Sequence, residues 1–308
     1  MPEVRIGSRG SALARWQTDW VLTQLQQRWP DLKCRVEYFS TAGDRAADRP
    51  LPKFGEQGVF TDDLTHALQD RKIDLAVHSL KDLPVDEIPG LTLAAICERA
   101  DAHDALVVAD SPAPGVSGYT LTTLPTHARV GTSSLRRSAQ LLAARPDLDV
   151  LPIRGNIDTR IRKTLEGKYD AILLAVAGLA RLGLERHIVE ILPFDVMLPA
   201  PGQGALAVQC RADDVALVER LSALDHLPTR KGVSAERAFL KALGGGCQAP
   251  IAAYGRVTAQ GELKLCGLAL SPDGQQAIHV FNKGDDPQKL GAALAQEAFD
   301  MGVAALLP

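Results

Sequence analysis

Short runs rich in β-branched residues alternate with helical patterns through the first two-thirds of the chain. VRIGS has the composition of a strand, and the following SALARWQTDWVLTQLQQRW places four apolar residues near one helical face, namely Leu13, Trp16, Trp20 and Leu25. CRVEYFS predicts a second strand, TDDLTHALQDRK a helix capped by Thr61, and IDLAVHS a third strand. This alternation is typical of α/β domains whose sheets are largely parallel.

The pattern restarts near residue 103. ARVGTSSLRRSAQLLAARP repeats the order of VRIGSRGSALARWQ, with a strand, then small and basic residues, then a helix, and YDAILLAVAGLARLG is similar to IDLAVHSLKDLP. We therefore predict two similar α/β halves, with LPAPGQGALAVQC returning the chain to the first half. From about residue 227 a helix, a GGGC turn, two strands and an alanine-rich helix predict a smaller α+β domain. The predicted domains are residues 1–98 with 204–222, residues 103–199 and residues 227–308.

Composition limits the classes of function. The chain has 308 residues, of which 46% are hydrophobic and 23% charged, as in globular proteins. Its net charge of −3 gives no reason to expect a nucleic acid or an anionic membrane as a partner. No apolar run reaches the roughly 18 residues that span a bilayer, and the start of the chain lacks the core of a signal peptide. The cytoplasm is the expected location.

The five cysteines form neither a CxxC pair nor a cluster with histidine at ligand spacing, so neither a disulfide framework nor a metal site is predicted. Four of them lie in apolar or strand-like runs, where cysteine is usually a small core residue. Cys247, in LGGGCQAP, is the exception. Three roles are open for Cys247: a buried small residue at a turn, a nucleophile that turns over, or a permanent point of attachment.

Arginines cluster where helices begin. The chain has 23 Arg against 11 Lys, and seven of the arginines fall between Arg129 and Arg162. The loops GSRGS, residues 7–11, and GTSSLRR, residues 131–137, each lead from a strand into a helix, where free backbone N–H groups favour anions. Together with Arg154 and Arg160 in IRGNIDTR, they predict a ligand with several acidic groups.

HSLKDLP places Lys81 and Asp82 directly after the third predicted strand. A lone aspartate before a proline is usually a turn residue. Here it follows a parallel strand, at the end of the sheet where α/β proteins bind ligands. If the two halves face one another, Asp82 and these arginines lie in one cleft. A carboxylate in such a cleft indicates a ligand or intermediate with a cationic centre.

These segments carry a family resemblance. RIGSRGSALARWQ, FGEQGVF, DLAVHSLKDLP, VGTSSLRR, IRGN, YDAILLAVAGLARLGL, LPAPGQGALAVQCR and GGGCQAP resemble, in order and spacing, the porphobilinogen deaminase (hydroxymethylbilane synthase) family. The resemblance covers about residues 4–255, and the last fifty residues match only in pattern. It implies two doubly wound lobes like those of type II periplasmic binding proteins, a smaller α+β C-terminal domain, and a monomer.

The resemblance also implies an activity. Members of the family deaminate four porphobilinogen molecules, join them head to tail and release hydroxymethylbilane by hydrolysis. They do so on a dipyrromethane primer held through a cysteine thioether, which corresponds here to Cys247. By its place in the motif, Asp82 corresponds to the catalytic aspartate of the family. Its chemistry fits this role, since a carboxylate can stabilise the cation that remains when ammonia leaves and can transfer protons.

Further site residues follow from the same match. The residues expected to bind the primer are Ser79, Lys81, Thr132, Ser133, Ser134, Arg136 and Arg137. Those expected to bind the substrate or the growing chain are Arg9, Ser11, Lys53, Arg154, Arg160, Arg181 and Gln203. Gln57 and Ala42 depart from the lysine and arginine that family members often have there, in a segment whose length without periodicity indicates disorder or a lid.

Two other classes of function use some of the same features. A non-catalytic binding protein with two similar lobes would share the anion loops but needs neither Cys247 nor Asp82. An enzyme with Cys247 as a turnover nucleophile needs a nearby base, and none of the seven histidines lies within twenty residues of it in the sequence. The intact mass of the purified protein separates these possibilities.

Overall fold

The structure, a computed structural model, describes residues 3–39, 62–109, 119–245 and 249–307. The predictions for Ala42, Lys53, Gln57, Thr61 and Cys247 therefore lie outside the described residues. The chain divides into two compact units, Met1–Ala100 with Ala205–Arg230 and Asp101–Gly204 with Lys231–Pro308.

The described strands are β1 Val4–Arg9, β2 Cys34–Phe39, β3 Leu75–Ser79, β4 Leu91–Ile96, β5 Asp104–Val108, β6 Arg129–Gly131, β7 Asp149–Leu151, β8 Ala171–Ala175, β9 Glu190–Leu192, β10 Leu206–Arg211, β11 Ile251–Val257, β12 Leu263–Leu270 and β13 Ala277–Gly284. The described α-helices are α1 Ala12–Arg28, α2 Asp62–Gln69, α3 Leu135–Ala144, α4 Ile157–Leu165, α5 Val176–Arg181, α6 Val215–Ser222, α7 Leu227–Ala242 and α8 Pro287–Asp300. Short 3₁₀ helices span Leu80–Asp82, Glu185–His187 and Val303–Ala305.

Lobe 1 is built on a five-stranded sheet in the order β2-β1-β3-β10-β4. Strand β1 pairs in parallel with β2 and β3, whereas β10 runs antiparallel to both β3 and β4. Its core includes Ile6, Val21, Leu25, Leu75 and Val208. The return of the chain to the first half is therefore made by an antiparallel strand inside the sheet.

Helix α1 buries a face that agrees with the predicted one only in part, since Leu25 is buried and Trp20 packs against the core. Its buried residues are Gln17, Thr18, Val21 and Leu25, while Trp16 is 37% exposed. The buried face tolerates Gln17 and Thr18 because each has a hydrogen-bond partner in the sheet. A pattern that counts only apolar residues misses such a face.

Lobe 2 has the corresponding sheet order, β7-β6-β8-β5-β9. Strand β6 pairs in parallel with β7 and β8, and β5 runs antiparallel to β8 and β9. In both lobes the strand that lies between the third parallel strand and the sheet edge runs in the opposite direction. The prediction of two similar α/β lobes is confirmed.

An ion pair occupies the same place in each lobe. Arg5 of β1 donates to Asp74 from its backbone N (2.9 Å), Nε (3.1 Å) and Nη2 (2.9 Å). Arg129 of β6 donates to Asp170 from the same three atoms, at 2.7, 3.1 and 2.8 Å. Each aspartate lies directly before the third parallel strand of its lobe. The duplicated pair is side-chain evidence for the internal repeat.

The smaller C-terminal domain contains the antiparallel sheet β11-β12-β13, whose third strand lies beyond the two that the sequence pattern indicated. Gly267 allows a close approach, because a Cβ there would lie 2.6 Å from Cζ of the buried Phe239 on α7. The opposite face packs in a cluster with Ala139 and Leu198, which belong to the same unit.

Candidate active site

The turn after β1 carries Arg9 and Ser11. Arg9 is the last residue of β1 and is half-buried. Ser11 is the N-cap of α1, and its Oγ accepts a hydrogen bond from the backbone N of Ala14 at 3.3 Å. Ser11 therefore stabilises the helix end whatever it binds. Arg9 supplies the positive charge at this turn.

The turn after β3 carries Ser79, Lys81 and Asp82. Leu80 is fully buried, and its backbone N donates to the carbonyl oxygen of Ala205 at 3.0 Å. Lys81 is half-buried and Asp82 is exposed. The buried leucine thus fixes a short 3₁₀ turn that presents Lys81 and Asp82 at the surface of lobe 1.

Gln17 supports this turn from α1. Its Nε2 donates to Oγ of Ser79 at 2.8 Å, and its side chain is buried. In lobe 2, Gln140 occupies the matching position of α3, where its Oε1 accepts from the backbone N of Leu198 (2.7 Å) and its Nε2 donates to the carbonyl oxygen of Leu198 (3.0 Å). Sequence reasoning missed both glutamines. A polar residue six positions after each helix cap is the signal that points to them.

His78 precedes the turn but carries no charge at neutral pH. Burial, with a further contribution from the charge of Arg9, lowers the pKa of His78 to about 4. On this turn the positive charge beside Asp82 is therefore that of Lys81, and the imidazole adds none.

In lobe 2 the loop after β6 is ordered by its own hydroxyl groups. Oγ of Ser133 donates to the carbonyl oxygen of Ile153 at 2.8 Å and accepts from its backbone N at 3.0 Å. Ser134 is the N-cap of α3, and its backbone N donates to Oγ1 of Thr132 at 3.2 Å. The bonds of Ser133 join the loop to the segment that leads into Arg154, and the bond between Ser134 and Thr132 lies within the loop.

Arg136 and Arg137, which the resemblance assigns to primer binding, are buried. Their side chains are 5% and 8% exposed. Nη2 of Arg136 donates to Oδ2 of Asp104 at 2.7 Å, and Arg137 donates to Oδ1 from Nε (3.2 Å) and Nη2 (2.6 Å). Carbonyl oxygens accept further bonds from Nη1 of each arginine, those of Leu198 and Leu173 respectively.

Asp104, the first residue of β5, is fully buried and was missed by the sequence analysis. Gln203 also donates to it, from Nε2 to Oδ1 at 3.0 Å, and to the carbonyl oxygen of Ala102 at 2.8 Å. Burial lowers the pKa of Arg136, and the charge of Arg137 lowers it further against the opposing effect of Asp104. The signal in the sequence is a single acid at the start of the otherwise apolar run DALVV.

The remaining arginines lie near the other strand ends of lobe 2. Nε of Arg160 donates to the carbonyl oxygen of Gly155 at 2.7 Å, and Gly155 has a φ of +109°, which disfavours a side chain there. Nη2 of Arg181 donates to the carbonyl oxygen of Gly204 at 2.7 Å. Arg154, Arg160 and Arg181 are all half-buried.

Within each unit, most of the predicted residues that the structure describes lie just beyond the carboxyl ends of the parallel strands, which end on the same side of the sheet. In lobe 1, Arg9 and Ser11 follow β1, and Ser79 to Asp82 follow β3. In lobe 2, the residues follow β6, β7 and β8: they are Thr132, Ser133, Ser134, Arg136, Arg137, Arg154, Arg160 and Arg181.

Comparison with known proteins gives the family. Residues 4–219 match the model described as "Porphobilinogen deaminase, dipyromethane cofactor binding domain", and residues 231–300 match "Porphobilinogen deaminase, C-terminal domain". The chain belongs to the porphobilinogen deaminase family. The match to the C-terminal model extends the resemblance beyond residue 255, where the sequence analysis placed its limit.

Full-length relatives agree with this assignment. The porphobilinogen deaminase of Carboxydothermus hydrogenoformans is 46% identical over 307 residues, covering 99% of this chain and 96% of that protein. That of Roseiflexus sp. strain RS-1 is 48% identical over 304 residues, covering 98% and 97%. Among solved structures, the BvgS VFT2 domain of Bordetella pertussis gives a TM-score of 0.44 at 16% identity over 72% of this chain and 85% of that one. A likeness this weak carries no argument.

Membership of the porphobilinogen deaminase family makes the chain a deaminating transferase of tetrapyrrole biosynthesis whose cofactor is dipyrromethane. The enzyme interpretation is thereby favoured over the two-lobed binding protein. Among the described residues no group of three His, Cys, Asp or Glu side chains is placed to hold a metal ion. In the same part of the chain, no helix is both long and apolar enough to cross a membrane.

Proposed function

We propose that Asp82 is the catalytic carboxylate of this deaminase and that Cys247 carries its dipyrromethane primer. The observation that supports Asp82 is its exposure on a turn fixed by the buried Leu80, at the carboxyl end of β3 and beside Lys81. A carboxylate there is accessible to a ligand. The turn that positions it is fixed by the buried Leu80 and not by the charge of Asp82.

Asp82 acts on the positive charge of the reaction. Loss of ammonia from porphobilinogen leaves a cationic centre on the substrate, which a nearby carboxylate stabilises. Asp82 then accepts the proton that the pyrrole ring loses once the new carbon–carbon bond has formed. Lys81, on the same turn, binds a carboxylate of the ligand and keeps the turn from repelling an acidic molecule.

Cys247 attaches the first ring of the primer in one reaction. Its Sγ bonds to the aminomethyl carbon of a porphobilinogen, the carbon–nitrogen bond breaks, and the thiol proton leaves with the amine as ammonia. When bound, dipyrromethane supplies the terminal pyrrole carbon to which substrate units are added. The dipyrromethane description of the matched family model supports an anchor rather than a turnover nucleophile.

The charge of the described residues fits a ligand of this kind. Each pyrrole ring of porphobilinogen carries an acetate and a propionate, so the primer and its extensions are polyanions. The residues proposed to bind the primer are Ser79, Lys81, Thr132, Ser133, Ser134, Arg136 and Arg137. Those proposed to bind incoming substrate are Arg9, Ser11, Lys53, Arg154, Arg160, Arg181 and Gln203.

The intact mass of the purified protein tests the anchor. We expect an excess equal to two linked pyrrole units, located by peptide mapping on the peptide that contains Cys247. Cys247→Ser is expected to remove the excess and the activity, whereas Cys266→Ser, at a half-buried thiol of the C-terminal sheet, keeps both. An unmodified mass in protein that still makes hydroxymethylbilane would overturn the proposal.

Two further properties complete the proposal: a monomeric state and a cytoplasmic location. The family assignment supports a biosynthetic enzyme whose substrate is a small acidic molecule. Sedimentation equilibrium of the loaded protein tests the first property, and fractionation of the source cells tests the second.

A further inference from the structure

The cluster of Asp104, Arg136 and Arg137 lacks one negative charge. Two guanidiniums and one carboxylate leave a net charge of +1, and all three side chains are almost completely buried. Within the described residues no second carboxylate contacts either guanidinium. An uncompensated charge in a buried position is costly, so the cluster favours a further anion.

A second cluster, in lobe 1, also joins one aspartate to two arginines, but a further carboxylate balances its charge. Asp74 accepts from Nη2 of Arg5 at 2.9 Å and from Nη2 of Arg211 at 2.8 Å. Oδ2 of Asp214 lies 3.9 Å from Nη2 of Arg211 and supplies the second negative charge. Asp74 precedes β3, at the opposite end of the strand from Asp82. With Asp214 as its second carboxylate, the lobe 1 cluster is balanced in charge and needs no ligand.

Asp104 also fixes the direction of the two arginines in lobe 2. Its Oδ1 receives Arg137 and Gln203, and its Oδ2 receives Arg136, so the carboxylate sets both guanidinium planes from one position. Each guanidinium has five N–H donors, and these bonds use only part of that set. The remaining N–H donors of each guanidinium point in fixed directions, because the bonds to Asp104 restrict rotation of both side chains.

We propose that Asp104 is a positioning residue: it orients Arg136 and Arg137 and leaves their cluster one negative charge short, so that a carboxylate of the primer completes it. This inference rests on the proposed function, since it takes the two arginines as primer-binding residues. Asp104 itself does not touch the ligand. It acts through the guanidiniums, and its carboxylate partly neutralises them so that they are stable before the primer is made.

The test is the rate of primer assembly. Protein produced without its primer is incubated with porphobilinogen, and the fraction with the two-ring mass excess is followed by intact mass spectrometry. We expect Asp104→Asn to load at least about ten-fold more slowly, because misdirected guanidiniums lose charged hydrogen bonds to the ligand. Asp104→Glu keeps the charge but displaces it by one methylene, and it should load at an intermediate rate.

Asp74→Asn is the matched control. It removes the carboxylate from the lobe 1 cluster and should lower the unfolding midpoint of primer-free protein while loading within about two-fold of the wild-type rate. Loading by Asp104→Asn at the wild-type rate, or slowing by Asp74→Asn as large as that by Asp104→Asn, would overturn the inference. If Asp104→Asn does not fold, Asp104→Glu decides, and wild-type loading by that variant counts against a positioning role. A wild-type protein with no mass excess at Cys247 would instead defeat the proposed function.

Discussion

Asp82 is held in place by its neighbours rather than by its own contacts with the core. Leu80 and Leu83 on either side of it are buried, and the backbone N of Leu83 donates to the carbonyl oxygen of Leu80. The turn is therefore fixed by apolar side chains and the backbone. Changing the carboxylate of Asp82 to an amide keeps the size of the side chain and leaves these contacts intact.

We expect Asp82→Asn to lower kcat by about 10²- to 10⁴-fold, the range typical of a lost acid–base group. Its unfolding midpoint should match that of the wild type, because the residue is exposed. Asp86→Asn changes an exposed acid four residues later and should leave kcat unchanged. Initial rates at saturating porphobilinogen, on protein whose primer content is verified by mass, make the comparison, and near-normal rates for Asp82→Asn would remove it from its proposed role.

For single residues, the sequence predicts the residue types of a loop better than the partners that those residues bind. The loop GTSSLRR correctly indicated a helix start rich in hydroxyl and basic residues. It could not indicate that Arg136 and Arg137 are buried, because their partner Asp104 lies more than thirty positions earlier and pairs with them only through the fold. A local motif contains no information about such a distant charge.

The repeated ion pairs show how each element is positioned within its lobe. Arg5 and Arg129 each connect the first strand of a parallel trio to the aspartate that directly precedes the third. The environments differ, however. The side chain of Asp74 is 16% exposed and also meets Arg211, whereas that of Asp170 is 41% exposed. Solvent screens the second pair more strongly, so the same geometry stabilises the two lobes unequally.

Asp74→Asn is therefore expected to destabilise the protein by about 2 kcal/mol at neutral pH, and Asp170→Asn by less. Burial alone would raise the pKa of Asp74, but hydrogen bonds from Arg5 and Arg211 outweigh it and lower that pKa to about 2. A depressed carboxylate pKa gives stability that is complete above the unfolded value of 3.8 and is lost as the pH falls toward 2. Urea unfolding of both variants and the wild type, at pH 7 and near pH 3, measures this. An equal loss in the two variants would contradict the difference in burial.

Element boundaries were predicted closely where period and punctuation agree. The helix expected from Ser11 onward spans Ala12–Arg28, and the strands predicted after it are present as β2 and β3. The buried face of α1 was predicted only in part, because two of its buried positions hold the polar residues Gln17 and Thr18. Strand β13 was not predicted, since its outward residues alternate with only two buried ones, Ile278 and Val280.

In the second unit, the C-terminal sheet is joined to lobe 2 by both apolar and polar contacts. Phe194 stacks on His103 at a centroid distance of 3.9 Å and meets Tyr254 of β11 at 4.5 Å. Glu236 of α7, which is fully buried, adds a polar connection. Its Oε2 accepts from the backbone N of Gly202 at 2.6 Å, and its Oε1 accepts from that of Gly255 at 2.7 Å.

The sequence reveals the two lobes but not how the C-terminal sheet is attached to lobe 2. The two lobes were predictable because their strands and loops repeat along the chain. The attachment of the C-terminal sheet was not, because Glu236 lies in a helix whose pattern gives no sign that its carboxylate binds two distant backbone groups. Gly202 lies in the motif PGQG, which the sequence associated with the return of the chain and with substrate binding by Gln203.

The buried carboxylate of Glu236 connects the C-terminal sheet to lobe 2, so changing it should destabilise the protein. A glutamine at this position keeps one acceptor oxygen and turns an NH₂ group toward the other backbone N–H, so Glu236→Gln should cost about 1 to 3 kcal/mol, the penalty for one unsatisfied buried donor. Glu236→Ala leaves both donors without this carboxylate and should cost more. Glu262→Gln, which changes an acid paired with Lys283 at the surface, is the matched control and should not measurably change the unfolding midpoint. If both Glu236 variants unfold at the wild-type denaturant concentration, the carboxylate does not hold the C-terminal sheet to the loop of Gly202, and the aromatic contact through Phe194 and Tyr254 is sufficient.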